Sequence, residues 1–302
     1  MNAKRSPVPA FPDGCFLLSV PTAERPLLAW LLDALKPMNR TRVKQLLRHG
    51  LVSVNGATTS RHDYPLRPGD QVAIARADSP RADRSLKEAG ISIVMEDDAL
   101  IVIDKPPGLL SVATQSERTD TAFARLNAYL KAPSRGRPFV VHRLDRETSG
   151  LLLFARSEAV RDRLQANWVH VTKTYLAVVD GRPKPAEGVV ENFLTEGRDL
   201  RVRATPHAKS ARRAVTRYRV IVARGRYTLV ELVLRTGRKH QIRVHMAALG
   251  CPVIGDPVYG SAADPARRLG LHAQRLSLDH PTTGQALELE SPLPAALRRV
   301  VE

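Results

Sequence analysis

The sequence predicts an α+β chain, in which a mainly antiparallel mixed sheet forms a large second domain behind a small N-terminal α/β domain. Three observations carry this reading. From Ile91 onward, many short apolar or alternating segments are joined by hairpin-length connections, with only a few helical stretches between them. Strict strand–helix alternation, which a doubly wound parallel sheet needs, is absent. Before them, a helix–helix–strand–turn–strand order fills residues 14–76, and the charged, small-residue-rich stretch 77–90 has no period and reads as a linker to a domain at 91–302. A length of 302 residues suits two such domains.

Each element follows from local pattern. MNAKRSPVPAFPD is Pro-rich and polar, and is expected to be poorly ordered. RPLLAWLLDAL carries apolar residues at helical spacing, with Pro26 at an early helical position. TRVKQLLRHG is a second helix closed by Gly50. LVSVNGATT alternates and then turns at Asn55-Gly56, a hairpin signal. YPLRPGDQVAIA adds a turn and a strand. In the second domain ISIVME, ALIVID, GLLLFA, TYLAVVDG, VTRYRVIVA, YTLVELVL and LHAQRLSL read as strands, while SEAVRDRLQANW and KHQIRVHMAALG read as helices.

Charge narrows the function. There are 47 Lys+Arg against 30 Asp+Glu, a formal net charge of +17, and the basic residues are 37 Arg to 10 Lys. Arginine presents a planar, permanently charged fork suited to phosphates and base edges, so nucleic acid is favoured over an acidic membrane as partner. Cys15 and Cys251 form no CxxC pair, which argues against a disulfide framework or a Cys-based zinc module. No apolar run approaches the ~18 residues of a spanning helix, and CFLLSV is too short for a signal core. A reducing cytoplasm is the expected setting.

The charge has two addresses. Arg40, Arg42, Lys44 and Arg48 lie on the second predicted helix, and Arg40, Lys44 and Arg48, spaced by four, share one face. A solvated helix face is the plain alternative to RNA binding there. Residues 200–255 hold 13 Lys+Arg and a single acid, Glu231; Arg217, Arg219, Arg224 and Arg226 fall along or beside two strands and would suit a nucleic-acid backbone. His207, His240 and His245 show no metal-ligand spacing and read as structural or RNA-contacting.

Three segments point to chemistry. In VVHRLDRETSGLLLFARS, Asp145 sits in a charged knot with Arg143, Arg146 and Glu147 before a core strand. Cations beside a carboxylate favour its ionised form, which suits a nucleophile or an anchor better than a general acid. A structural ion pair at a loop is equally compatible with these residues. RTGRKHQIRVHMAALGCPVIGDPVYG packs Arg235, Arg238, Lys239, His240, Arg243 and His245 into eleven positions, and its glycines match neither a dinucleotide fingerprint nor a P-loop. KTYLAVVDG places Lys173 and Tyr175 on one strand face.

In order and spacing, these segments resemble the RluA-type family of RNA pseudouridine synthases, from VMEDDALIVIDKPPG (94–108) to LHAQRLSLDHPTTG (271–284). TRVKQLLRHGLVSVNG resembles a small RNA-binding module shared with a ribosomal small-subunit protein, although Pro26-Leu27 replaces the usual Leu-Asp after the opening Arg.

The resemblance implies that Asp145 attacks the uridine, at C6 of uracil or C1′ of ribose, so that the base detaches, rotates and rejoins through C5. It implies that Tyr175 stacks on the flipped base and assists proton removal. It further implies that Arg243 pairs with Asp145, that Arg143 enters the space left by the base, and that Ile242 and Leu271 line the pocket. An isomerisation needs no redox partner or group donor, so no cofactor and no metal are expected. The expected partner is RNA, ribosomal before transfer RNA, with no membrane and no protein partner, and a monomer as the simple default. A non-catalytic RNA-binding or ribosome-assembly protein is the main alternative, but it has no use for an acid facing a polyanion. An Asp-dependent glycosidase would need a second carboxylate that nothing in the sequence places.

Overall fold

The computed structural model describes residues 15–17, 21–36, 40–48, 52–75, 86–115, 117–130, 136–205, 211–260 and 263–302. The N-terminal stretch 1–13, His207, Gly50 and most of the expected linker lie outside these residues. The chain divides into two units, Met1–Ser85 with Asn127–Arg137, and Leu86–Leu126 with Pro138–Glu302.

In the smaller unit β1 (Cys15–Leu17), β2 (Arg25–Pro26), α1 (Leu27–Ala34), α2 (Arg40–Arg48), β3 (Val52–Val54), β4 (Ala57–Thr58), β5 (Pro65–Leu66) and β6 (Val72–Ala75) follow in order. Four strands form an antiparallel sheet in the order β1-β6-β3-β4, and β2 pairs with β5. Its core is built by the helical spacing of the sequence: Leu27, Leu28, Trp30 and Leu31 of α1 pack with Val43, Leu46 and Leu47 of α2. Pro26 precedes α1 with φ −60°, as a fixed-φ helix starter should. Asn55 (φ 50°) and Gly56 (φ 81°) turn β3 into β4, the left-handed pair that such two-residue hairpins require.

The larger unit contains β7 (Ser92–Glu96), β8 (Leu100–Lys105), β9 (Phe139–Val140), β10 (Ser149–Ala155), β11 (Thr172–Asp180), β12 (Glu187–Glu196), β13 (Val202–Thr205), β14 (Arg212–Arg224), β15 (Tyr227–Leu234), β16 (Leu271–Asp279) and β17 (Ala286–Glu290). Its helices are α4 (Glu158–Ala166), α5 (Gln241–Ala248) and α6 (Ala295–Val301); α3 (Ala122–Leu130) begins in this unit and ends in the smaller one. All eleven strands join one sheet, in the order β13-β12-β14-β15-β11-β16-β10-β8-β7, with β17 on β16 and β9 on β10. Among the described residues one strand pair is parallel, β10 with β16, through Ser149–His272 and Gly150–Ala273. A side chain at Gly150 would place its Cβ 2.2 Å from the Ala273 carbonyl oxygen, and φ there is 110°, so only glycine lets these two strands meet.

β10 is buried along its whole length, which explains why GLLLFA reads as an unbroken apolar run. The central strands β11, β16 and β10 thus form a rigid platform, and the loop that enters β10 carries Asp145.

Candidate active site

The Asp145 loop is pinned on both sides by residues from the β8 end. The Ser111 hydroxyl donates to the Leu144 carbonyl (2.7 Å) and accepts the Leu144 N–H (3.0 Å). Lys105 is fully buried, and its ammonium donates to the carbonyls of Pro106 (2.8 Å), Leu109 (2.8 Å) and Arg146 (3.0 Å). Burial pulls the Lys105 pKa down to about 7, while the charges of Glu147 and Asp145 push the other way. Gly108 N–H also reaches the Arg146 carbonyl (2.9 Å), so the peptides flanking Asp145 have little freedom.

Around Asp145 lies a cleft of about 270 Å³. Arg143, Ile242, Arg243, Leu271 and Tyr175 all line it, together with His142, Trp168, Lys173, Arg238 and His240. The six residues expected at the catalytic and substrate positions are therefore brought to one place. Ile242 and Leu271 are buried apolar walls, whereas Arg143 is exposed at the rim.

Tyr175 sits at an irregularity: the β11–β16 register shifts between Thr174 and Tyr175. Burial, and then the Asp145 charge, push its phenol well above the ordinary range. A phenol that keeps its proton is suited to stacking, and is no ready base. Lys173, two residues before it, donates to the Trp168 carbonyl (3.0 Å) and lies 5.4 Å over the Trp168 ring; burial lowers its pKa to about 8. His142 stacks on the same ring (4.7 Å) and accepts the Leu153 N–H (3.0 Å), and burial holds it neutral with a pKa of about 3.

Arg243 faces two carboxylates, Asp256 besides the expected Asp145. Its fork is taken by Asp256, with Nε to Oδ2 at 2.7 Å and Nη2 to Oδ1 at 2.8 Å. Asp145 receives the remaining nitrogen, Nη1, at 3.9 Å. Asp256 is fully buried and also accepts the N–H groups of Val258 (3.0 Å) and Tyr259 (3.1 Å). Burial is the largest single influence and opposes both charges, but the Arg243 hydrogen bonds and charge, together with the Val258 and Tyr259 N–H groups, hold Asp256 below the usual carboxylate range. The Arg243 guanidinium also lies 5.0 Å over the Tyr259 ring. Helix α5, which carries Arg243, is fixed at its start by Gln241, whose amide donates to the Val215 carbonyl (3.0 Å) and the Thr216 hydroxyl (2.9 Å).

Sequence reasoning passed over Asp256, Lys105 and Trp168; GDPVYG reads as a turn because its partner lies thirteen residues away. Among the described residues, no three His, Cys, Asp or Glu side chains come together to hold a metal ion.

The sequence profile described as RNA pseudouridylate synthase matches residues 99–248, which contain the pinned loop, Tyr175 and Arg243. An uncharacterized RNA pseudouridine synthase of Bacillus subtilis, YlyB, is 35% identical over 87% of this chain and 89% of its own length. The chain belongs to the RNA pseudouridine synthase family. This synthase is thus an isomerase that acts on RNA. The profile of the S4 domain matches residues 25–72, within the smaller unit. A protein of Zymomonas mobilis named ribosomal large subunit pseudouridine synthase D is 29% identical over 90% of the synthase and 93% of its own length. The solved structure titled human RNA pseudouridylate synthase domain containing 4 superposes with a TM-score of 0.60 at 26% identity, covering 72% of this chain and 93% of that one.

On the smaller unit, Arg40 and Lys44 are exposed on α2; the side chains of Arg42 and Arg48 lie outside the described residues. No helix among the described residues is long and apolar enough to cross a membrane.

Proposed function

We propose that this synthase isomerises uridines of large-subunit ribosomal RNA, in the cytoplasm and as a monomer, with Asp145 as its nucleophile. The name of the Zymomonas mobilis relative supports the ribosomal substrate. A net charge of +17 favours RNA and opposes self-association. The observation that carries the nucleophile is Asp145 itself, a carboxylate 29% exposed at the floor of a nucleoside-sized cleft, inside a chain otherwise suited to a polyanion.

The base reaches that floor only when extruded from its stack, at a cost of a few kcal/mol. Arg143, exposed at the rim, fills the vacancy and offsets part of that cost. Asp145 attacks at C6 of uracil or C1′ of ribose, the N1–C1′ bond breaks, the base turns, C5 bonds to C1′, and the bond to Asp145 breaks to return the free carboxylate. The C5 proton is lost and N1 gains one, so the sum is an isomerisation. Tyr175 stacks on the base; Ile242 and Leu271 form the apolar walls. Arg40, Arg42, Lys44 and Arg48 hold RNA at the smaller unit.

Asp145→Asn and Asp145→Ala test this. Nucleoside analysis after incubation with ribosomal RNA transcript is expected to show at least about a thousandfold less pseudouridine, with RNA affinity retained. Appreciable turnover by either variant removes Asp145 as the nucleophile. Pseudouridine mapping in cells with and without the gene names the uridine, and unchanged ribosomal RNA would remove the substrate assignment.

A further inference from the structure

His240 stands at the start of α5 with φ 54° and ψ 16°, the left-handed region that a residue with a Cβ rarely adopts, and its side chain makes no capping hydrogen bond. The position gives up both an easy backbone and a helix cap, so the gain lies in where the ring is sent. Its Nδ1 is 2.8 Å from the Tyr259 hydroxyl, and its Nε2 is 3.9 Å from Asp145 Oδ2. The Tyr259 oxygen already accepts the Val202 N–H (3.0 Å), so donating its own proton to Nδ1 gives that proton a partner as well.

Two arguments then favour one tautomer. Nδ1 accepts from Tyr259, so Nε2 carries the hydrogen. An N–H, and not a lone pair, is also what a neighbouring carboxylate favours. Burial lowers the imidazole's pKa, in keeping with a neutral ring.

We propose that His240 is the positioning residue for Asp145, a neutral imidazole whose Nε2–H, set by Tyr259, aims the reactive carboxylate. The Arg243 fork is occupied by Asp256, so only its Nη1 is left to face Asp145, at the same 3.9 Å as His240 Nε2. A second cation closing on Asp145 would orient it but blunt its attack. A neutral donor orients it and leaves it nucleophilic. The separation of 3.9 Å is one that closes to a hydrogen bond when the base enters, as catalytic contacts do on substrate binding.

This inference rests on Asp145 being the nucleophile, and the experiment separates the two. His240→Ala, His240→Gln, Tyr259→Phe and Asp145→Asn are compared in the full chain on ribosomal RNA transcript. His240→Ala is expected to lower kcat about 30-fold with KM unchanged. His240→Gln, whose amide N–H reaches the same place, restores it to within about fivefold of the parent, and Tyr259→Phe lowers it about fivefold. Ring nitrogen NMR of the parent protein shows a protonated Nε2 and a bare Nδ1 at His240, and Tyr259→Phe mixes the tautomers.

Parent-like kcat in a folded His240→Ala, beside an inactive Asp145→Asn, overturns the positioning role alone. An active Asp145→Asn overturns the nucleophile as well. Should His240→Ala not fold, the NMR decides, because a parent protein with hydrogen on Nδ1 overturns the proposal.

Discussion

Two arginine-rich regions of the larger unit use the same side chain for opposite ends. On the outer sheet, Arg213 pairs with Glu191 (2.6 Å) and Arg219 with Glu231 (3.0 Å), and each arginine is more than half exposed. In the cleft, Arg243 is 6% exposed and two of its nitrogens are engaged by a carboxylate with no exposure at all. Water competes for the first pair of arginines and salt screens them, so their geometry is replaceable. Nothing competes for Arg243. Burial and the match of fork to carboxylate turn a surface charge into a fixed part of the site.

The largest effect follows from breaking that buried pair. Asp256→Ala leaves Arg243 with only the Asp145 contact at 3.9 Å and is expected to cost about 3–5 kcal/mol of stability, read as a lower urea midpoint with an unchanged m-value. The double variant Arg243→Met, Asp256→Leu recovers most of the stability, because apolar side chains of similar volume replace a buried pair well. It recovers no activity, since Asp145 has lost the Nη1 contact. By contrast, Arg219→Gln on the outer sheet leaves the midpoint unchanged. If Asp256→Ala is as stable as the parent, burial does not separate the two regions.

Most of the framework was legible in the sequence, and what was missed had either a mixed local pattern or partners distant in the chain. Unbroken or alternating apolar runs gave β10, β11, β15 and β16, and the Asn55-Gly56 pair gave the β3–β4 hairpin, because these signals are local. β12 was missed: Val189 and Phe193 face solvent on it among Glu187, Glu191 and Asn192, so its pattern does not separate an inner from an outer face. At the site, HRLDRETSG marked Asp145 through its own neighbours. The support beneath it, Lys105 and Ser111, is brought from more than thirty residues away by the β8–β10 pairing, and no local pattern encodes that. The partner of Arg243 went unseen for the same reason.

A middle-sized effect concerns Lys173, which lines the cleft and is buried like Arg243 but is held by a carbonyl and an aromatic ring. Its pKa is lowered by burial from 10.5 to about 8, so it is charged below pH 8 and neutral above. RNA affinity is expected to fall about threefold as pH rises from 7 to 9, and to stay flat for Lys173→Gln, measured by filter binding at constant ionic strength. Stability moves the other way. Between about pH 8 and 10.5 the unfolded chain holds a proton that the folded chain has released, so stability rises with pH through that window and does not in Lys173→Gln. Parallel pH profiles of affinity in parent and variant would place this lysine with the purely structural groups.

The smallest effect tests the exposed regime in the smaller unit. Arg40 and Lys44 stand exposed one turn apart on α2, where like charges repel unless an anion lies across them. If each neutralises one phosphate of single-stranded RNA, replacing both by Gln lowers the slope of log affinity against log salt by about 1.4, at ~0.7 per contact. At low salt the turnover of bound RNA is unaffected, because neither residue reaches the chemistry. Arg40→Lys is expected to be silent, for a screened point charge does not need a fork, whereas Arg243→Lys in the cleft is inactive for want of one. An unchanged salt slope in the double variant would assign the RNA footprint to the arginines of the β14 face instead.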